Sequence, residues 1–316
     1  KLKAAKKPGL LEKSFSLFIQ HKTWVDRTAG TARLLQKAWQ KDGYIKKLPL
    51  SWAKKKRIPV LKKARERYLL TKSNGLKVYL FQGCLVRYFF PEILQSAAHA
   101  LAHFGFQAVS PPDQVCCGAP SLHLGDTQGV RALASQNLES FARENPSFIL
   151  TVCPTGNSLL KYHYPKIDGQ AASWNDKIHD FTAFMVSRGY FPRAGRGDKK
   201  TGLYYHYSCH YLHELKGRDE PVKLMEALGY VLSPQENPLA CCGFCGVFSV
   251  KNPEISAHLW GIKKKKIMES RASLVATDCP GCLFQLRAGL KKEGGPVQSF
   301  HSAEILAQSL VNRSKK

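Results

Sequence analysis

The chain has 316 residues, enough for two or three domains with real cores, and 44% are hydrophobic against 22% charged. No uninterrupted apolar run approaches the roughly 18 to 20 residues that a membrane helix needs, which leaves a soluble or peripheral protein. The net charge of +25 is uneven: residues 1–77 hold 22 Lys and Arg against Glu12, Asp26, Asp42 and Glu66, so +18 falls there and only +7 on the rest.

Residues 1–70 read as helical. Gly9 to Gln20 and Trp24 to Trp39 place apolar side chains at three- and four-residue intervals between mostly basic positions, and Pro49 and Pro59 interrupt the pattern. The runs Lys54-Lys55-Lys56-Arg57 and Lys62-Lys63 read as a solvated face. Aromatic residues are not interleaved with them as in base-stacking platforms, so no nucleic acid is expected; an acidic partner or an anionic membrane surface suits the charge better. No secretory signal is visible, because Lys1 to Lys7 lead into a short mixed apolar stretch. The expected location is the cytoplasm, including the cytoplasmic membrane face.

From Lys77 the texture changes. Lys77 to Gly83 is a short apolar strand ending at Cys84. Pro91 to Phe104 has helical period, with Ile93, Ala97, Leu101 and Phe104 on one face and Gly105 as C-cap. Phe106 to Val109 is a strand, Asp126 to Glu144 a helix capped by Asp126, and Ser147 to Val152 a strand ending at Cys153. The same order returns after residue 200. Leu203 to Tyr207 is a strand, Pro221 to Leu228 a helix stopped by Gly229, and Tyr230 to Leu232 a strand. Glu254 to Arg271 is a helix and Ser273 to Thr277 a strand. Strands alternating with helices of this length predict parallel βαβ units. The expected division is a basic helical connector over 1–76, a first domain over 77–170, a linker over 171–200 and a second domain over 201–316.

The cysteines fall on a duplicated grid. The first copy is Cys84, Cys116-Cys117-Gly118, then Cys153-Pro154-Thr155-Gly156. The second is Cys209, Cys241-Cys242-Gly243, then Cys279-Pro280-Gly281-Cys282. The lone cysteine and the pair are 32 positions apart in both copies, and the next interval is 36 in one and 37 in the other. A repeated interval of this kind marks one duplicated unit. Disulfide-dense scaffolds are usually small and secreted, so ten cysteines in this chain favour a metal or cluster. Cys-x-x-Cys alone suits zinc or iron–sulfur. Adjacent cysteines are poorly placed on one tetrahedral ion but can bind different irons of a cluster, and thiolates in this number favour iron–sulfur chemistry. Each lone Cys and each Cys-Pro follows a strand, so the cysteine loops should meet at the carboxyl rim of a sheet, where ligands of α/β folds sit. Gly118 and Gly243 would relieve crowding and let backbone N–H groups face cluster sulfide, which tunes the potential.

This grid resembles the cysteine-rich CCG domain, and local matches carry the resemblance: Ser208-Cys209-His210, Cys241-Cys242-Gly243-Phe244 followed by Gly246-Val247-Phe248-Ser249, and Asp278-Cys279-Pro280-Gly281-Cys282. The tandem pair over about residues 75–316 is similar to the tandem-CCG subunit of heterodisulfide reductase. It is similar also to the iron–sulfur subunits of glycolate and lactate oxidising complexes and of anaerobic glycerol-3-phosphate dehydrogenase. The resemblance implies an α/β fold of two pseudo-symmetric Rossmann-like lobes behind the basic helical segment. It implies at least one [4Fe–4S] cluster, non-cubane in heterodisulfide reductase, on Cys209, Cys241, Cys242, Cys279 and Cys282. Gly156 stands where the fifth cysteine of the first copy belongs, which leaves Cys84, Cys116, Cys117 and Cys153 as a second candidate cluster site able to bind a cubane, or else a degenerate repeat kept for its fold. Cys245 replaces what resembles a family glycine, and is expected to be a buried, inert thiol rather than a spare ligand or redox thiol.

His206, His210 and His213 surround Cys209 and are candidate donors or proton carriers beside the cluster, with His123 at the equivalent rim of the first copy; the plainer reading makes His206 a strand residue and turns His213 to solvent. Lys263 to Lys266 is expected on an exposed helix face. No Gly-rich phosphate loop, Ser-centred elbow or His-Glu-x-x-His motif appears. By resemblance, the chain is expected to be the electron-transfer subunit of an oxidoreductase acting on lactate or glycolate. Flavin would sit on a partner flavoprotein subunit, electrons would leave towards quinone or another carrier, and a hetero-oligomer would form. A ferredoxin-like domain is expected upstream or on another chain, since the sequence starts at Lys1 without an initiator methionine. Two alternatives stand beside this: a heterodisulfide-reductase-like subunit, against which Gly156 counts, and a basic scaffold stabilised by zinc.

Overall fold

The computed structural model describes residues 9–38, 40–41, 44–45, 58–62, 69–193, 201–217, 219–234, 241–292 and 297–313. The helical expectation for the leading segment holds in its first half. Helices α1 (Leu10–Gln20) and α2 (Lys22–Leu35) follow the predicted apolar spacing. Between residues 40 and 59 the described residues are not helical: short strands β1 (Gln40–Lys41), β2 (Tyr44–Ile45) and β3 (Ile58–Pro59) form a small antiparallel sheet. Lys54 to Arg57 and Lys63 lie outside the described residues.

The segment wraps the body at several points. Ser16 and Ser121 share a buried hydrogen bond of 2.7 Å, and Asp26 accepts bonds from Arg87 and from Tyr88. Burial alone would push the Asp26 carboxyl up, but Lys22, Arg87 and Tyr88 together hold it below the usual carboxylate range. Tyr44 reaches the carbonyl of Arg287 in the far lobe, and Glu12 pairs with Lys251 there.

The first lobe runs β4 (Leu69–Leu70), β5 (Lys77–Phe81), α3 (Gly83–Tyr88), α4 (Pro91–His103), β6 (Gln107–Ser110), α5 (Ala119–His123) and α6 (Thr127–Glu144). It continues through β7 (Phe148–Thr151), α7 (Pro154–Ser158), α8 (Tyr164–Ile167), β8 (Ile178–Asp180) and α9 (Phe181–Ser187). Strands β6-β5-β7-β8 are parallel, and β4 adds an antiparallel edge to β6. Residues 178–187, expected within the linker, are instead the fourth parallel strand and its helix. Their signal is short: three strand residues, then Asp180, whose side chain caps α9 through the N–H groups of Thr182 and Ala183.

The second lobe repeats the plan: β9 (Thr201–Tyr205), α10 (Glu220–Ala227), β10 (Tyr230–Leu232), α11 (Val247–Lys251), α12 (Pro253–Glu269), β11 (Leu274–Thr277), α13 (Pro280–Lys292), β12 (Gln298–His301) and α14 (Ser302–Arg313). Its order β10-β9-β11-β12 is parallel throughout and matches the first lobe strand for strand. The fold is therefore α/β with two Rossmann-like lobes. The helix ends behave as the sequence implies. Gly105 adopts φ +83° after α4, and Asp126 accepts the N–H of Gly129 at 2.9 Å.

One apolar core joins the lobes. Helix α4 buries Ile93, Leu94, Ala97 and Leu101 against α14, where Ile305, Leu306 and Leu310 are buried, and α9 meets α10 in the related arrangement. Each fully buried Leu or Ile contributes about 1.5–3 kcal/mol. Polar pins cross the same seam. Thr182 donates to Asp278 at 2.8 Å, and the buried His301 ring lies between the carbonyls of Val152 and Asp278. The two carboxyl rims are thus held facing each other.

Candidate metal centre

The strands deliver the cysteines to that seam. Cys84 and Cys153 follow β5 and β7; Cys209 and Cys279 follow β9 and β11, the corresponding strands. The Cys-Cys-Gly turns follow β6 and β10. Nine of the ten cysteines line one cleft of about 1050 Å³ between the lobes. Cys116 lines an adjoining cavity of about 770 Å³ with Cys84, against Phe15, Ile19 and Val25 of α1 and α2. The leading helices therefore roof the first cysteine frame.

In the second frame the sulfurs converge. Cys242 and Cys282 are buried with Sγ atoms 3.3 Å apart. The N–H of Gly243 points at Cys241 Sγ, 3.3 Å away, which requires φ +82°; a Cβ there would sit 2.5 Å from the carbonyl oxygen of Ser256. Hydrogen bonds from Cys242 and Cys245 hold the Cys241 thiol down to about 2, and bonds from Cys245 and His210 hold Cys209 down to about 5. Cys279 is held well below the ordinary range by Cys153 and Cys282, while Cys242 is pushed up by Cys241 and burial, and Cys282 by Cys242, Cys279 and burial. Three sulfurs of this frame are thus poised as thiolates, the form that binds soft metals.

The first frame differs. Cys84, Cys116 and Cys117 form a chain of sulfur contacts, and Gly118, with φ +93°, points its N–H at Cys116 Sγ at 3.5 Å. Cys153 meets Cys279 across the seam. Cys84, Cys116 and Cys153 are all pushed up, each first by a neighbouring sulfur and then by burial. Gly156 faces Cys153 and the Phe81 ring, and no sulfur stands there to match Cys282.

Around the second frame stand groups that bear on charge. His206 is 1% exposed, neither ring nitrogen has a hydrogen-bond partner among the described residues, and a ring nitrogen lies within 4.8 Å of the Cys242 and Cys282 sulfurs. Burial, with help from the Lys263 cation, lowers it to about 3, so the imidazole is neutral at pH 7. An unpartnered buried imidazole is costly unless a ligand meets it. His210 lies 3.7 Å from Cys209 Sγ and 3.2 Å from Thr155 of the other lobe, with its second nitrogen 4.0 Å from Glu214. Burial pulls its pKa down, but the Cys209 thiolate and the other negative neighbours raise it overall. His123 stacks near it, ring centroids 6.4 Å apart, and His163 approaches Glu214 at 3.9 Å. Three imidazoles and a carboxylate thus cluster across the two lobes, and His123 and His210 of that cluster line the cleft. His213 is exposed, as expected.

Two expectations fail here. Cys245 is exposed rather than buried, because φ +43° turns it outward beside Cys209 and Cys241. Lys263 is fully buried, not on a solvated face. Its ammonium lies over the Tyr204 ring and 3.2 Å from the phenol oxygen. Desolvation lowers it to about 8, opposed by the nearby sulfurs of Cys242, Cys282 and Cys241. The helical spacing Ser256, Trp260, Lys263, Ile267 places it on the inward face of α12. Thr155, Glu214 and His163 carried no motif and come together only through the fold.

The donor set tests well for an iron–sulfur group: many soft thiolates, backbone N–H groups aimed at sulfur, and a buried cation and imidazole behind them. The cysteine-rich CCG domain pattern matches residues 78–161 and 203–287. Lactate utilization protein A 2 of Bacillus cereus (strain AH820) is 30% identical over 248 residues, covering 74% of this chain and 99% of that protein. Lactate utilization protein A of Geobacillus sp. (strain WCH70) is 31% identical over 241 residues, covering 73% and 99%. A crystal structure of a hypothetical protein from Helicobacter pylori superposes with a TM-score of 0.55 at 10% identity. It covers 95% of this chain, which spans 57% of that structure, and the likeness concerns the fold alone.

Proposed function

The chain belongs to the cysteine-rich CCG domain family, and from that premise we propose that it is an iron–sulfur electron-transfer subunit of a lactate-oxidising system. The observation that carries this is the convergence of Cys209, Cys241, Cys242, Cys279 and Cys282 beside an unpartnered, buried His206. These five cysteines would hold a [4Fe–4S] cluster, which supplies one-electron steps between a two-electron flavin donor on a partner subunit and a quinone or other carrier. The name of the similar Bacillus and Geobacillus proteins supports lactate as the substrate of the system.

The chain's own residues bind and tune. Gly243 aims its N–H at Cys241, His206 can donate into the space beside Cys242 and Cys282, and Lys263 sets positive charge behind the frame. His210 and His123 at the cleft, with His163 and Glu214 beside them, can hold and move protons. No helix among the described residues is long and apolar enough to cross a membrane, so a membrane carrier would be met at a surface. Exposed Leu10, Leu17 and Trp24 on the basic leading helices suit docking to a partner or a membrane.

The test is stopped-flow bleaching of the cluster absorbance, after anaerobic reconstitution, on mixing with lactate and the partner flavoprotein. Bleaching should need both. Turnover of a disulfide substrate by the reconstituted chain alone would replace the relay with a reductase.

A further inference from the structure

The turn between the second cysteine pair and α11 contains three left-handed residues, Gly243, Cys245 and Gly246, with φ of +82°, +43° and +52°. For a residue with a Cβ this conformation costs about 1–2 kcal/mol. The other described non-glycine residues with positive φ are Asn145, Lys216 and Arg271, and each follows a helical segment, where that conformation is an ordinary cap. Cys245 instead precedes a helix. Its turn sets the residue at the cleft that two cysteines from separate loops, Cys209 and Cys241, also line.

The sulfurs of the second frame therefore form two faces. On the inner face, Cys242, Cys282 and His206 lie within 4.8 Å of one another, all buried. The unpartnered His206 nitrogens independently mark the adjoining space as a place where a ligand belongs. On the outer face, Cys209, Cys241 and Cys245 line the same cleft, and Cys245 is the exposed member. A group that contacts the inner face and is held by Cys209 and Cys241 also comes within reach of Cys245.

We propose that Cys245 is a sixth thiolate ligand of the group held by the second frame, closing it on the solvent side. This rests on the cluster reading above and adds a ligand that the five-cysteine motif does not contain. Being solvent-facing, it is the ligand most readily exchanged.

The test treats anaerobic holoprotein with iodoacetamide and measures alkylation of each cysteine by peptide mass spectrometry. The same measurement is repeated after iron removal by a chelator. Ligation predicts that Cys245 reacts at least tenfold more slowly in the holoprotein than in the apoprotein. Equal rates in protein that holds iron and sulfide would overturn the inference alone, and so would a disulfide from Cys245 to Cys209 or Cys241. A wild-type chain that takes up no iron and sulfide would overturn the cluster reading and this inference together. A shielded but unligated thiol is separated by Cys245→Gly, which the left-handed backbone accepts, and by Cys245→Ser. Both should retain iron on the other five cysteines. Both should change the EPR g-values and shift the reduced-to-oxidised ratio at fixed potential at least tenfold, about 59 mV for one electron. Unchanged g-values and potential would overturn the proposal.

Discussion

The two lobes share a strand order and a cysteine spacing, yet they treat their sulfurs differently. In the second lobe Cys209, Cys241 and Cys279 are held as thiolates by neighbouring thiols and His210, with Lys263 and His206 walled in behind. In the first, neighbouring sulfurs and burial push Cys84 and Cys116 up, Gly156 offers no sulfur, and α1 and α2 lie over the frame. Duplication fixes where a site can be, since strand ends deliver the same loops to the same rim. What surrounds the loops differs: the second copy has Cys282 and the buried Lys263, whereas the first has Gly156 at the position of Cys282.

The largest expected effect comes from removing a thiolate from each frame. Cys242→Ser should lower iron after anaerobic reconstitution from about four per chain to below about one, whereas Cys116→Ser should leave it near four. Iron analysis with acid-labile sulfide checks both, and equal losses would erase the difference between the frames. The converse change repairs the first copy. A Cβ at Gly156 would meet Cys153 and Phe81 only at 3.8 Å, so Gly156→Cys should fold and raise iron towards about eight. Retention of four irons would mean that the roof and the Cys153–Cys279 contact, rather than the missing sulfur, silence that frame.

Lys263→Met tests the charge behind the second frame. Removing a cation makes adding an electron harder, so the midpoint potential should fall in an EPR-monitored redox titration. In the apoprotein the sign reverses. The folded pKa of about 8 lies below the unfolded value near 10.5, so the unfolded chain binds the extra proton between them. Wild-type apoprotein should therefore gain about 3 kcal/mol relative to Lys263→Met as pH rises from 8 to 10.5, measurable by denaturant unfolding. A pH-independent difference would remove Lys263 from the account.

The smallest effect concerns the roof. Asp26→Asn should cost about 1–2 kcal/mol by weakening the bonds to Arg87 and Tyr88, and should speed alkylation of Cys84 and Cys116. Because the folded carboxyl titrates below its unfolded value, the wild-type advantage is present above about pH 4 and fades as pH falls through the folded pKa. Unchanged alkylation would mean that the leading helices do not guard the first frame.

Much of this was legible in the sequence. Repeated spacing and short apolar strands ending at cysteines gave the lobes, because strand length and helix period are local properties. Gly118 and Gly243 were legible because a Cys-Cys turn leaves few other backbone solutions. What escaped depends on contacts between distant parts of the chain. Residues 178–187 look like a linker until β7 pairs with Ile178–Asp180. Lys263 looks solvated within four consecutive lysines, although its spacing to Trp260 and Ile267 places it inward. Cys153 matches Cys279 by sequence position, but only the facing of the two rims brings them into contact.

The most direct test of the central claim is iron and sulfide quantitation with EPR on the anaerobically purified chain, beside Cys242→Ser and Cys116→Ser. The account predicts about four irons and four sulfides per chain, with a signal lost in Cys242→Ser and kept in Cys116→Ser. Zinc without sulfide, or a signal that survives Cys242→Ser and vanishes in Cys116→Ser, would contradict it.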